Sequence, residues 1–191
     1  MKKIIVISSL LLISCQNSKI ENGEKYFKQS EDYIIKQNYK KANESIDKAL
    51  GYNANNSKYL HIKLNILLEK CNKKESLEVI DKLLKQSPDD YSLLTLKYLL
   101  LKDDKDLSRE AKACLNDAYS ILSRKVTQEN KRESSLANFV FILKLMGKSD
   151  IELKKEAEKL DLSSKELQLW NSFVNLDIED NSFSFNRERC K

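Results

Sequence analysis

Two stretches of the chain, YFKQSEDYIIKQNYKKANESIDKALGYNANN (residues 26–56) and LHIKLNILLEKCNKKESLEVIDKLLKQSPDD (residues 60–90), repeat one pattern at a spacing of 34 residues. When Tyr26 is aligned on Leu60, apolar and small residues coincide along both stretches. The matched pairs are Tyr33 with Leu67, Ala42 with Ser76, Ile46 with Ile80, and Ala49 with Leu83. A fixed period of this length indicates repeated supersecondary units.

The composition favours helices for these units. The chain has 191 residues, with only three Gly and one Pro, and 33% of its residues are charged. Few helix breakers together with abundant Lys, Glu and Leu predict an all-α protein. The length is enough for one domain with a substantial core.

Small residues at Ser30, Ala42 and Ala49 allow two helices to approach closely, while the tyrosines and Ile46 fill the space between them. Pro88 ends the second unit because its ring cannot continue a helix. Paired helices at a period of 34 residues resemble the tetratricopeptide repeat. The residues that fit its pattern are Tyr26, Ser30, Tyr33, Ala42, Ile46 and Ala49 in the first unit, and Ser76, Ile80 and Pro88 in the second.

Further units follow with weaker matches. Ala111, Leu115 and Ala118 repeat the small and bulky spacing in a third unit that begins at Tyr91, with one residue inserted in the loop 102–107. Residues 134–148 are predicted to form the first helix of a further unit, ended by Gly147. Residues 151–160 are predicted to form the shortened second helix of that unit.

The last predicted helix has a capping-box signature at Ser163 and Glu166. Leu167, Trp170, Phe173 and Val174 form one apolar face on this helix, as the terminal helix of a repeat array requires. We therefore predict a tetratricopeptide-like solenoid of three to four helical hairpins with a C-terminal capping helix over residues 24–178. A polar tail, 179–191, follows.

In the N-terminal stretch MKKIIVISSLLLISC, Lys2 and Lys3 precede eleven largely apolar residues, 4–14. Eleven helical residues rise about 16 Å, well short of the roughly 30 Å hydrocarbon core, so residues 1–14 read as a secretory signal peptide. Leu12-Ile13-Ser14-Cys15 resembles the bacterial lipobox. The resemblance implies that Cys15 is acylated, palmitate included, and becomes the mature N-terminus. An ordinary cleaved signal peptide with an incidental cysteine is the alternative.

The residue after Cys15 is Gln16 rather than aspartate, which favours the outer membrane over retention in the inner one. Residues 15–23 would form the lipidated N-terminus and a tether. A flexible tether of about eight residues spans about 15 Å on average and about 28 Å when extended. We therefore expect the folded part to lie close to the membrane surface, in the periplasm.

The sequence carries little that catalysis or metal binding needs. Its single histidine, His61, excludes a histidine-rich zinc site, and no nucleophile elbow, P-loop or dinucleotide fingerprint occurs. We expect no enzyme, no metal and no cofactor. Without Lys2 and Lys3 the chain has 32 basic and 29 acidic side chains, a net charge of +3, spread along the helices. No basic stripe indicates nucleic-acid binding.

Three cysteines remain once Cys15 is acylated. Cys114 adjoins the Ala111–Leu115 stripe and is predicted to be a small buried residue. Free thiols are expected at Cys71 and Cys190 as well, and a Cys71–Cys190 disulfide in an oxidising periplasm is the alternative.

The resemblance implies that a concave groove, lined by the first helix of each unit, binds a peptide or protein partner. The predicted groove residues are Phe27, Glu31, Ile34, Lys58, His61, Asn65, Leu68, Thr95, Leu99 and Lys102. Phe27 and Glu31 replace the first Lys and Asn of the family's carboxylate clamp, so capture of a chain terminus is not expected. Each residue could equally serve packing between repeats.

Two functions from different classes remain open, and an accessory subunit of an enzyme is a third alternative. The chain could be an envelope scaffold that assembles a membrane machine, or a periplasmic immunity protein that blocks a toxin delivered by neighbouring cells. The scaffold is favoured because arrays of this kind usually assemble complexes.

Overall fold

In the computed structural model, residues 20–128 and 133–176 are described, and all regular structure in these two ranges is α-helical. Helix α1 occupies residues 20–35. The helices that follow are α2 (Tyr39–Tyr52), α3 (Ser57–Glu69), α4 (Lys73–Gln86), α5 (Tyr91–Leu101), α6 (Ser108–Gln128), α7 (Glu133–Leu145), α8 (Asp150–Lys159) and α9 (Ser164–Val174). Residues 20–23, assigned to the tether from the sequence, are thus helical. The signal peptide, Cys15 and the tail 179–191 lie outside the described residues.

Two compact units divide the chain after Gln86, where the sequence analysis predicted one array over 24–178. The first unit contains helices α1–α4, and the second contains helices α5–α9. Each unit has buried apolar residues of its own, and each is described separately below.

In the first unit, the close approach of α1 and α2 depends on small side chains. Ser30, Ala42, Ile46 and Ala49 are all 0% exposed, so no space remains for larger side chains there. The rings of Phe27 and Tyr59 stack with centroids 5.3 Å apart and connect α1 to α3. The small-residue prediction from the sequence is therefore confirmed at these positions.

The 34-residue period is also visible in the turns of the first unit. Gln37 and Cys71, 34 residues apart, both have a positive φ of 55°. Each is followed by an asparagine whose side chain accepts a hydrogen bond from a backbone N–H of the next helix: Asn38 from Lys41 at 3.2 Å, and Asn72 from Glu75 at 3.3 Å. A left-handed residue that ends one helix and an asparagine that caps the next make a compact helical hairpin.

In the second unit, α6 packs against α5 and α7, and α9 packs against α7 and α8. Ala111, Leu115 and Ala118 are buried, as the spacing predicted. Gly147, with φ of 76°, ends the hairpin's first helix α7. Ser163 and Glu166 form the predicted capping box at the start of α9.

Trp170 connects the last helix to the rest of the second unit. Its side chain is 1% exposed, and its ring centroid lies 6.2 Å from that of Phe139 on α7. Helix α9 therefore covers apolar surface of α7, the role predicted for a terminal helix.

Candidate protein-binding surfaces

Part of the predicted groove surface is accessible on helix α3. His61 and Asn65 are exposed and Leu68 is half-buried. Because these residues follow each other at four- and three-residue intervals, they lie on one face of the helix. This face of α3 presents a histidine, an amide and an aliphatic side chain.

Phe27 and Lys58, also predicted to line the groove, contact each other, but only Phe27 is buried, since the Lys58 side chain is 57% exposed. Phe27 is 2% exposed. The Lys58 ammonium lies 4.0 Å from the centroid of the Phe27 ring and 3.3 Å from a carboxylate oxygen of Glu24. Phe27 therefore has no surface for a partner, and the charge of Lys58 is held by Glu24 and by the face of the ring.

A hydroxyl completes this arrangement. Tyr59 donates from its hydroxyl to the other carboxylate oxygen of Glu24, at 3.1 Å. Burial, and then the hydrogen bond to Glu24, raise the pKa of the Tyr59 phenol above its ordinary value of 10.0. A phenol is protonated at neutral pH in any case, and the raised pKa of Tyr59 keeps its hydroxyl a donor to Glu24 into more alkaline solution.

The other predicted groove residues differ in exposure. Glu31 and Ile34 on α1 are half-buried. In the second unit, Thr95 is buried and its hydroxyl donates to the carbonyl of Tyr91 at 2.7 Å, Leu99 is half-buried and Lys102 is exposed. Thr95, like Phe27, is therefore a packing residue. For the accessible residues, partner binding stays a prediction.

The second unit has a cleft between α8 and α9 that the sequence analysis did not predict. Its volume is about 540 Å³. The apolar side chains that line it are Leu153, Ala157, Leu162, Leu167, Trp170 and Val174. Leu167 is 42% exposed, so apolar surface is open to the solvent here.

Charged side chains surround this apolar lining. Asp150, Glu158 and Asp161 contribute three carboxylates, against the single ammonium of Lys154. An apolar cleft with an acidic rim suits a segment that carries large apolar side chains flanked by basic ones. The sequence signal for this cleft is the apolar face of α9. Its pattern predicts a terminal helix that covers the array, but it does not predict that part of this face stays open to solvent.

Comparison with solved structures supports the repeat architecture. The MamA RS-1 ArsTM double mutant matches with a TM-score of 0.52 at 17% identity, covering 81% of this chain and 79% of that one. TTC0263, a thermophilic TPR protein in Thermus thermophilus, matches with a TM-score of 0.51 at 15% identity, covering 79% of this chain and 80% of that one. The chain has a tetratricopeptide-like fold. At these identities the likeness concerns the fold alone.

No protein-family model matches the sequence of this tetratricopeptide-like protein, and no curated protein matches it.

The described helices were also compared with what metal binding and membrane spanning require. Within residues 20–128 and 133–176, no group of three or more His, Cys, Asp or Glu side chains could hold a metal ion. Of the helices described, none has the length and apolar character needed to cross a membrane. That the protein is not an enzyme stays a prediction.

The two described cysteines differ. Cys114 forms no disulfide and is 7% exposed, so it is a small buried residue, as predicted. Cys71 is disulfide-bonded, so the prediction of a free thiol at this position is wrong. The alternative given above, a Cys71–Cys190 disulfide, involves Cys190, which lies outside the described residues.

Proposed function

We propose that this chain is a protein-binding scaffold of the bacterial cell envelope. A lipid anchor would hold it at the outer membrane, where the folded part faces the periplasm. The tetratricopeptide-like fold supports protein binding as its general role. The observation that carries the proposal is the open apolar cleft between α8 and α9, with Leu167 exposed on its wall.

Exposed apolar surface in such a cleft favours a partner because burying it releases water. This release of water is the main favourable contribution to association, and it opposes the entropy lost when the partner is immobilised. A cleft of about 540 Å³ has room for several large side chains of a bound segment. The carboxylates of Asp150, Glu158 and Asp161 would select a basic sequence around those side chains.

The sequence at the N-terminus supports the anchoring part of the proposal. The lipobox-like Leu12-Ile13-Ser14-Cys15 follows a short apolar run, and acyl chains on Cys15 would hold the protein at the membrane. Anchoring raises the local concentration of the scaffold near membrane-bound partners, so even moderate affinity for each partner suffices.

The test is a crosslinking pull-down from native envelopes with tagged full-length protein. The informative variant is Leu167→Glu, which places a carboxylate on the wall of the cleft. The matched control is Ile151→Glu, because Ile151 is also an exposed aliphatic residue, at 71%, on α8 but does not line the cleft. A second pair, His61→Ala with Asn65→Ala, examines the exposed face of α3.

Recovery of the same envelope proteins by wild type and Ile151→Glu, with loss in Leu167→Glu, supports the scaffold and assigns the cleft. Loss only in the α3 pair supports the scaffold and moves the surface to the first unit. Capture of one secreted toxin domain instead would replace the scaffold with the immunity function. Equal recovery by all variants would contradict both proposed surfaces.

A further inference from the structure

The start of α1 and the end of α2 meet at one edge of the first unit. Gly23 on α1 faces α2 and α3: a Cβ there would be 3.0 Å from the hydroxyl oxygen of Tyr59 and 3.4 Å from the Cβ of Tyr52. The rings of Tyr26 and Tyr52 stack with centroids 6.0 Å apart. We call residues 20–25 and 51–55 the α1–α2 edge.

Two large apolar side chains are exposed at the α1–α2 edge. Ile20 is 61% exposed and Tyr52 is 41% exposed. Ile20 and Gly23 are three residues apart on α1, so Ile20 lies on the same side of the helix as the Tyr52 contact. The exposed isoleucine and the exposed tyrosine therefore belong to one surface.

The charge of this edge is low and partly neutralised. Residues 51–55, GYNAN, contain no charged side chain. Residues 20–25 contain three charged side chains: Glu24 is held by Lys58 and Tyr59, and the other two, Glu21 and Lys25, are opposite in charge. On α2, the Lys48 ammonium lies 5.4 Å from the centroid of the Tyr26 ring. An aliphatic side chain with tyrosine and lysine around it is suited to the interface between lipid headgroups and acyl chains.

The chain length decides the occupant of this surface. Five residue steps separate Cys15 from Ile20, which span about 12 Å as a flexible segment and at most about 18 Å when extended. With acyl chains on Cys15 in the bilayer, the start of α1 cannot lie farther than this from the lipid headgroups. A protein partner would have to fit into that gap, whereas the lipid surface is already there.

We propose that the α1–α2 edge, with Ile20 and Tyr52 exposed on it, rests on the lipid surface that holds the anchor of Cys15. This inference depends on the anchor in the proposed function. The contact adds a second membrane signal to the acyl chains and orients the first unit, so that the far end of α1 points away from the bilayer.

The test measures tryptophan fluorescence of the acylated full-length protein in phosphatidylethanolamine–phosphatidylglycerol vesicles that contain lipids brominated near the headgroup. The variant is Ile20→Trp. The control is Ile35→Trp, because Ile35 is 80% exposed at the other end of the same helix, about 22 Å away along its axis. Trp170, 1% exposed, is present in both proteins and gives the same background.

We expect Ile20→Trp to lose most of its added emission in brominated vesicles and to shift to shorter wavelength, while Ile35→Trp loses none. Equal quenching at both positions, or none at position 20, would overturn the proposed orientation. Both residues are exposed, so neither substitution interferes with folding.

Failure of the anchor itself is recognised separately. Intact mass of the purified protein shows whether acyl groups are present. If they are absent, the anchor is disproved, and the same two variants are tethered to nickel-chelating lipid through a hexahistidine tag in place of residues 1–15. Quenching at position 20 but not at position 35 in that arrangement supports the lipid-facing edge on its own, and the reverse pattern refutes it.

Discussion

The hydroxyl of Ser30 on α1 donates a hydrogen bond to the carbonyl oxygen of Ala42 on α2, 3.0 Å away, and both residues are 0% exposed. A side chain thus bonds to the backbone of the neighbouring helix, which requires the two helix axes to be close. The hydrogen bond satisfies a buried hydroxyl that would otherwise destabilise the fold.

Ala42→Leu is expected to destabilise the first unit by about 1–3 kcal/mol or more, because the added atoms have no space between α1 and α2. Ser30→Ala should cost about 1 kcal/mol through loss of the hydrogen bond. Urea unfolding followed by circular dichroism measures both. The control is Ala113→Leu on the exposed side of α6, which should be nearly neutral. Similar losses at Ala42 and Ala113 would contradict the close-packed contact.

The core positions of the hairpins were predictable because packing leaves a signal at fixed intervals. Ala42, Ile46 and Ala49 are small or bulky where two helices touch, and the 34-residue repeat of Ile46 at Ile80 made this visible. Groove exposure was less predictable. The rings of Phe27 and Tyr59 stack on each other, so neither is available to a partner. Only the contact between α1 and α3 in the folded protein distinguishes such a pair from a binding surface.

The cleft and the disulfide left even less signal. The apolar face of α9 has two environments, because Trp170 packs on Phe139 while Leu167 remains exposed. The spacing of apolar residues in the sequence does not show which of them are buried and which line a cleft. Cys71 has no sequence motif that indicates bonding, since its pairing depends on residues distant along the chain.

Gln37→Gly is expected to stabilise the first unit by about 1 kcal/mol. Gln37 has φ of 55°, a conformation that costs a non-glycine residue roughly 1–2 kcal/mol and glycine much less. The control is Glu44→Gly on the exposed side of α2, which should destabilise by about 0.5–1 kcal/mol because that position is helical. Thermal unfolding compares the two; a loss of stability in both would contradict the backbone conformation at Gln37.

Trp170→Ala is expected to lower the free energy of unfolding of the second unit by about 3–5 kcal/mol, because it leaves a large cavity against Phe139. Phe173→Ala, at a half-buried position of the same helix, should cost less. Denaturant unfolding monitored by circular dichroism gives both values. If the two variants lose the same stability, Trp170 does not have the central position that its 1% exposure indicates.

The capping box of α8 gives a prediction about pH. A hydrogen bond from Lys148, followed by bonds from the backbone N–H and hydroxyl of Ser149, lowers the pKa of Glu152 from 4.5 to about 2. A carboxylate with a lowered pKa in the folded state stabilises it above pH 4.5, and the stabilisation fades as the pH falls toward 2.

Glu152→Gln should therefore lower the melting temperature at pH 7, and the difference from wild type should shrink between about pH 4.5 and 2. Carboxyl chemical shifts of labelled protein report the pKa directly. In the matched variant Lys148→Met, the pKa of Glu152 should rise toward its ordinary value. A Glu152 pKa near 4.5 in the wild type would refute the arrangement.

The cysteines connect the structure to the proposed anchor. Cys71 should resist alkylation until a reductant is added, because it is disulfide-bonded, and Cys114 should react only after unfolding, because it is buried. Peptide mapping without reduction identifies the partner of Cys71. A peptide that joins Cys71 to Cys15 would contradict acylation, since the thioether to the lipid needs the same sulfur.

Any other partner leaves Cys15 available, and then Cys15→Ser should abolish palmitate incorporation and release the protein from membranes. Palmitate retained in that variant would disprove the anchor at Cys15 regardless of the disulfide.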